Sequence, residues 1–312
     1  MAVRHRLRLL AARHPAVAGL ALAAALAGGG SGTTRGDEPL VADRPTFSPG
    51  TVTVERGRAV VEIGADVGRE NGARLRSYGQ TLVRIGVYES IELRLRMGPW
   101  LVVRDSSGRA DGAGDPRIGV KVELVDYSYR ARPESALVVE TGVLAGSRAV
   151  GGGRGWQPRA GLALAWELGR RTSLGAFLGA ESARAGGERF TRRFAAVSFS
   201  RGVGGRTDLL AELRVIDPDA PRAGAAYALL AGATVAIGDD LRLDAWAEQR
   251  LDGSGPRWRV GAGTTWRPGG GHDGERRGSS GSGRITSSRS SVISRYAQSG
   301  PSRPTPERLT PP

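Results

Sequence analysis

The stretch Ser90-Ile91-Glu92-Leu93-Arg94-Leu95-Arg96-Met97 decides the fold. Apolar side chains stand at 91, 93, 95 and 97, and charged ones at 92, 94 and 96. Successive residues of a strand point to opposite faces, so one face here is wholly aliphatic and the other wholly ionic. Wound as a helix, the same residues would scatter Arg and Leu around the cylinder. The segment is therefore a β-strand between an apolar medium and a polar one, and the apolar medium is either a protein core or lipid.

The same alternation recurs from Thr51 to Pro268 in segments of roughly ten residues, the length of a barrel strand. Val61, Ile63, Ala65 and Val67 oppose Glu62, Gly64 and Asp66, and Val83, Ile85 and Val87 oppose Arg84. After the 91–97 strand, Ile118, Val120, Val122 and Leu124 oppose Lys121 and Glu123. Leu137, Val139 and Val143 oppose Glu140, and Leu162, Leu164, Trp166 and Leu168 oppose Gly161, Ala163, Ala165 and Glu167. Ala211, Leu213 and Val215 oppose Glu212 and Arg214. Leu241, Leu243, Ala245 and Ala247 oppose Arg242, Asp244 and Glu248, and Trp258, Val260, Ala262 and Trp266 oppose Arg257 and Arg259. Segments 172–181, 190–200 and 225–237 read as strands without a clear facing. Together these give twelve.

Connector lengths alternate as well. Tyr88-Glu89, Gly169–Arg171, Gly202–Arg206 and Gly238–Asp240 are tight, whereas Gly98–Asp115 and Gly146–Arg159 are long. Tight turns at one end and long loops at the other suit an outer-membrane barrel with periplasmic turns. Asp126–Glu134 is the exception, too long for a tight turn. Charges of both signs recur on the polar face of strand after strand, and the opposite faces are small and aliphatic. That composition favours lipid over a dense soluble core.

The remainder of the chain fits this location. Residues 1–13 are Arg-rich, and the apolar run Ala16–Leu26 ends in Ala25-Leu26-Ala27, which reads as a secretory signal peptide over 1–27. Residues 28–49 read as a flexible N-terminal segment, 50–268 as the barrel, and 269–312, dominated by Gly, Ser, Arg and Pro, as a disordered tail. The formal charge of +14 is concentrated at the two ends, so it marks no nucleic-acid surface on the barrel. Cysteine is absent, which excludes disulfides, thiolate metal sites and a lipoprotein anchor.

Catalytic motifs do not assemble. The histidines are His5, His14 and His272, so neither a Ser-His pair nor imidazole zinc ligation is available inside the barrel. The single lysine, Lys121, is followed by Val122, which rules out a phosphate-binding P-loop. Glu62 and Asp66 share a face, but interleaved Arg points to a solvated lumen rather than acid/base chemistry. Asp105, Asp111 and Asp115 fall in the long third loop without EF-hand spacing and read as polar loop residues. The candidate functional residues are the lumen charges Glu62, Arg84, Glu92, Arg94, Arg96, Lys121, Glu123, Glu140, Glu212, Arg214, Arg242, Asp244 and Glu248. They either neutralise one another to keep the interior hydrated or select solutes by charge.

The order Arg44-Pro45-Thr46-Phe47-Ser48-Pro49-Gly50, Val61-Glu62-Ile63-Gly64, Leu82-Val83-Arg84-Ile85-Gly86 and Ile91-Glu92-Leu93-Arg94-Leu95 resembles the outer-membrane channels of the MetA-pathway of phenol degradation family. Gly112-Ala113-Gly114-Asp115, Ile118-Gly119-Val120-Lys121 and the strand from Pro133 to Val143 continue the resemblance. It implies an outer-membrane β-barrel that passes small molecules, hydrophobic or aromatic compounds among them. The chain departs from barrel habit by continuing for 46 residues beyond Trp266.

The expectation is an all-β, antiparallel, up-and-down transmembrane β-barrel of about twelve strands, in the outer membrane of a Gram-negative-type cell after signal-peptide cleavage. The expected role is passive passage of small molecules, without enzyme activity, cofactor or metal. A non-conducting structural or adhesive barrel and a soluble periplasmic ligand-binding β protein are the alternatives. Expected partners are outer-membrane lipid, small-molecule solutes and the barrel-assembly machinery, with no nucleic acid and the oligomeric state open.

Overall fold

The computed structural model describes residues 40–126, 132–143, 145–153, 155–169, 171–185, 188–217 and 224–269. The expected signal peptide, residues 28–39 of the expected flexible segment, and the tail from 270 onward lie outside the described residues. Strands β1 (Ala59–Glu70) and β2 (Ala73–Tyr88) form the first hairpin. Strand β3 (Ile91–Met97) continues through Gly98-Pro99 into β4 (Trp100–Asp105), and β5 (Gly108–Ala113) continues into β6 (Arg117–Val125). The chain then meanders through β7 (Glu134–Gly142), β8 (Pro158–Gly169), β9 (Thr172–Ala185) and β10 (Glu188–Val203). It ends with β11 (Thr207–Ile216), β12 (Ala226–Ala236), β13 (Leu241–Asp252) and β14 (Trp258–Trp266).

Every neighbouring pair is antiparallel, and β14 returns to β1 in register from Val61↔Trp266 to Arg69↔Trp258. That pairing closes the sheet and removes its edges. Because β4 and β5 only lengthen β3 and β6, the wall has twelve strands, the number implied by the alternation. A 3-10 turn, Arg148–Val150, lies in the connection before β8.

Two segments read as connectors belong to the sheet instead. Residues 68–80 complete β1 and β2, which meet at Asn71-Gly72. Both residues have positive φ (47° and 87°), the geometry of a two-residue hairpin loop. Within the expected long loop 98–115, β4 extends the pairing of β2 from Tyr78↔Trp100 to Arg74↔Arg104, and β5 folds back on β4. The reason is physical: a strand that projects past the lipid no longer needs an apolar face. Arg74, Arg76 and Arg104 are accordingly solvent-exposed, and no clean alternation marks the segment.

Burial is inverted relative to a soluble protein. Glu62, Glu92 and Lys121 are 0% exposed, whereas Leu213 is 49% and Leu243 45% exposed. The charged face of each strand points into the barrel and the aliphatic face points out, so the surrounding medium is lipid. Leu213→Arg places a guanidinium on that outer face at a cost of about 2–4 kcal/mol near the bilayer midplane. The expected outcome is loss of the heat-modifiable folded band in outer-membrane preparations, while Arg109→Gln in the exposed β4–β5 hairpin retains it.

Candidate functional site

The lumen is occupied by the chain itself. Residues 40–55, ahead of β1, lie inside the barrel with Asp43, Ser48, Thr51, Thr53 and Val54 buried. Pro45 and Pro49 punctuate this segment, and its backbone pairs with no strand until Arg56 bridges Gly86. Buried backbone groups need partners from somewhere, and wall side chains supply them. Glu62 accepts from the amides of Asp43 (3.0 Å) and Arg44 (2.9 Å), and Glu212 from those of Phe47 and Ser48 (both 2.9 Å). Glu92 accepts from the Val54 amide (3.0 Å) and Glu123 from that of Thr53 (3.1 Å). In the other polarity, Arg84 donates to the carbonyls of Val41 (2.9 Å) and Val52 (3.1 Å), and Lys121 to those of Gly50 (3.1 Å) and Val52 (2.8 Å). At Gly86 the inward segment passes so close that a Cβ would collide with the carbonyls of Val54 and Glu55.

Beneath these contacts lies a charge cluster with no exposed member. Arg84 grips Glu92 with two nitrogens at 2.9 Å each, and its Nη1 is 3.4 Å from Glu62. Asp43, carried in by the inward segment, sits 2.7 Å from Arg94, 3.6 Å from Arg84 and 3.7 Å from Lys121. Burial of the Asp43 carboxylate is offset by three cations, Arg84, Lys121 and Arg94, gathered around it. Three cations thus face Asp43, Glu62 and Glu92, so the buried charges cancel locally. Arg44 anchors the segment on the adjoining stretch of wall, bonding Asp244 of β13 at 3.2 Å and Gln80 of β2 at 3.2 Å. Its guanidinium lies over the paired residues Gly64 and Gly263, where any Cβ would displace it.

Towards the end with the longer connections the lumen opens into a cavity of about 330 Å³. Phe47 of the inward segment packs there against Phe177 and Phe194, with ring centroids 5.9 and 5.6 Å away, beside Val138, Ala163 and Ile216. The Arg159 guanidinium lies 4.3 Å from the Phe194 centroid, 4.8 Å from Phe47 and 5.4 Å from Phe177. Around this group Arg117 and Arg192 converge on Glu181, and Arg214 and Arg259 on Glu248.

A family model described as "Putative MetA-pathway of phenol degradation" matches residues 42–267, which takes in the inward segment and the whole wall. The chain belongs to this family. Among solved structures, an outer membrane channel from Pseudomonas putida is similar at 12% identity and a TM-score of 0.52, covering 76% of this chain and 100% of that one. The NanC porin is similar at 9% identity and a TM-score of 0.48, covering 66% of this chain and 98% of that one. At this identity the first likeness establishes the outer-membrane barrel fold. No curated protein sequence matches the chain.

In this family member, the sequence-derived candidates are spread over three settings. Glu62, Arg84, Glu92, Lys121, Glu123 and Glu212 hold the inward segment, as described. Arg94 joins Asp43 to Glu140 (3.2 Å), Arg96 reaches Glu140 at 3.7 Å, and Asp244 takes Arg44. Arg214 pairs with Glu248 at 2.7 Å, and Arg242 with Asp208 at 2.8 Å. The expectation of a flexible segment over 28–49 is corrected for residues 40–49, and the barrel begins at Ala59 rather than Gly50. The Gly, Ser and Thr that suggested flexibility stand mainly ahead of residue 40; from there on the backbone is buried against charged side chains of the wall. Asp105, Asp111 and Asp115 do not converge: Asp105 caps its own turn at Ser107 and Gly108, Asp111 pairs with Arg109, and Asp115 accepts from Gly146 and Gly153.

Sequence reasoning missed Asp43, Arg44, Phe47, Arg159, Phe177, Glu181 and Phe194. One signal was present. Phe177 and Glu181 share strand parity with Gly175 and Gly179, so a large ring stands alone on an otherwise small or polar face, whereas Phe194 shares its face with Phe190, Arg192 and Ser198. Arg84→Met leaves Glu62, Glu92 and Asp43 short of a buried cation and is expected to destabilise the barrel by about 3–5 kcal/mol. Arg242→Met, at a part-exposed pair, is expected to cost at most about 1 kcal/mol. Urea unfolding in lipid vesicles, followed by tryptophan emission, measures both.

Proposed function

We propose that this protein is an outer-membrane channel for passive passage of small molecules, hydrophobic or aromatic ones among them, and that residues 40–55 set the width of its pathway. The observation that carries this reading is that the inward segment is held by side chains and not by the sheet. Such a segment can leave the lumen without breaking any strand pairing, whereas a plug made of wall strands could not. The lumen charges then have two duties. With the segment in place they satisfy its backbone, and with it displaced they line a hydrated passage that discriminates by charge. The role is non-catalytic, and the mature protein reaches the membrane after removal of residues 1–27.

The same lumen filling also favours a second reading, a barrel that conducts little and serves as a structural or adhesive surface protein. Single-channel recordings in planar bilayers separate the two. The full-length protein is expected to show small conductance. Deletion of residues 40–50, or Glu212→Ala, which frees the amides of Phe47 and Ser48, is expected to raise it several-fold. Equal conductance in all three would show that the segment does not set the width. Silence in all three would establish the non-conducting barrel.

A further inference from the structure

The arginines around the Phe47 cavity outnumber the acids available to them. Eight arginines and four acids line it, and Asp244 and Glu248, which pair with lining arginines from just behind, bring the acids to six. Each acid on the upper wall is shared: Glu140 between Arg94 and Arg96, Glu181 between Arg117 and Arg192, Glu248 between Arg214 and Arg259.

Arg159 is left over by this sharing. Its register partners are Glu140 on β7 and Glu181 on β9, and both carboxylates are already taken by two other guanidiniums. Among the described residues Arg159 has no ion pair or hydrogen bond and rests on the faces of three phenylalanines. Arg117, which also lines the cavity, has an Nη1 without a hydrogen-bond partner among the described residues. Guanidinium groups left with free donors in a partly desolvated cavity create a site for a planar anion. The same cavity has apolar lining beside these guanidiniums, with Val138, Ile216, Leu230 and the phenylalanines. A cavity that offers cationic and apolar groups side by side suits a ligand that is itself divided in the same way.

We propose that this cavity binds monocarboxylates that carry a hydrophobic body, with Arg159 and Arg117 holding the carboxylate and the Phe47–Phe177–Phe194 cluster holding the body. The site deepens the channel reading, on which its place in solute entry rests, but binding itself requires no conduction. The carboxylate supplies two acceptors in one plane, which a guanidinium meets with parallel donors. A neutral hydrophobic solute leaves those donors unmet, and a small anion leaves the apolar wall uncovered.

The test is calorimetric titration of the full-length protein in phosphatidylcholine nanodiscs, with empty nanodiscs as the baseline for partition into lipid. The probes are 4-phenylbutyrate, its neutral counterpart 4-phenylbutan-1-ol, and acetate. Phenylbutyrate is expected to bind saturably, with the alcohol and acetate each at least about tenfold weaker. Arg159→Gln is expected to weaken phenylbutyrate at least about tenfold while leaving the alcohol unchanged. Heat-modifiable mobility confirms that the variant is folded, and Arg117→Gln replaces it if it is not. Equal binding of acid and alcohol would reduce the cavity to an apolar pocket, and equal binding of acid and acetate would reduce it to a diffuse positive potential. Either result, or no phenylbutyrate binding, overturns the proposal. Binding by a barrel that never conducts would overturn the channel reading alone, and conductance without binding would overturn this site alone.

Discussion

The structure depends on the hydrogen bonding of a backbone that has no strand to pair with. Residues 40–55 run through a barrel whose wall strands already satisfy one another. Their amides and carbonyls must find side chains or stay unmet at a cost of about 1–3 kcal/mol each. The wall answers by polarity: Glu62, Glu92, Glu123 and Glu212 meet amides, and Arg84 and Lys121 meet carbonyls. Long flexible side chains can do this for an irregular segment, where a sheet edge would impose a register. The lumen charges are thus structural partners as much as they are a pore lining.

Burying so many charges is tolerable only because they cancel at short range. Asp43 enters with the inward segment and completes the group formed by Arg84, Arg94, Lys121, Glu62 and Glu92. Without Asp43 the wall cluster would carry one surplus positive charge at its centre. The segment and the wall are therefore electrostatically interdependent: the buried Asp43 needs the wall cations, and the wall cluster needs Asp43. That coupling explains how a polar stretch with few apolar residues can be ordered. It does so through charge complementarity, with Phe47 in the aromatic cluster and Leu40 and Val54 packed with Val60 as apolar anchors.

The two halves of the lumen differ in chemistry. Nearer the tight turns the charges are matched and the space is filled by the segment. Nearer the longer connections, pairs of arginines share single acids, and an aromatic cluster sits among them. A solute entering from that end would meet a surface both cationic and apolar, to which the segment itself contributes Phe47. Recognition and restriction would then meet at that residue.

Much of the architecture was legible in the sequence because period-two alternation is a local property. Leu93 against Arg94, or Leu243 against Asp244, reports the two media on either side of a strand without knowledge of its neighbours. Nine such segments, with three more strands of unclear facing and largely alternating connector lengths, point to an outer-membrane barrel, and the polar face of each of the nine identifies what points inward. The strand extensions beyond the lipid were not legible, since no medium there imposes alternation on Arg74 or Arg104. Nor was the fate of residues 40–58, whose composition alone suits a solvated linker. Only the tertiary structure decided that Asp43 meets Arg84, Arg94 and Lys121, that Arg44 crosses to Asp244 two hundred residues away, and that Arg159 is left without an acid. Those outcomes depend on which strands the closed barrel sets beside one another and around the inward segment, and a pattern of nearest neighbours along the chain carries no information about distance through space.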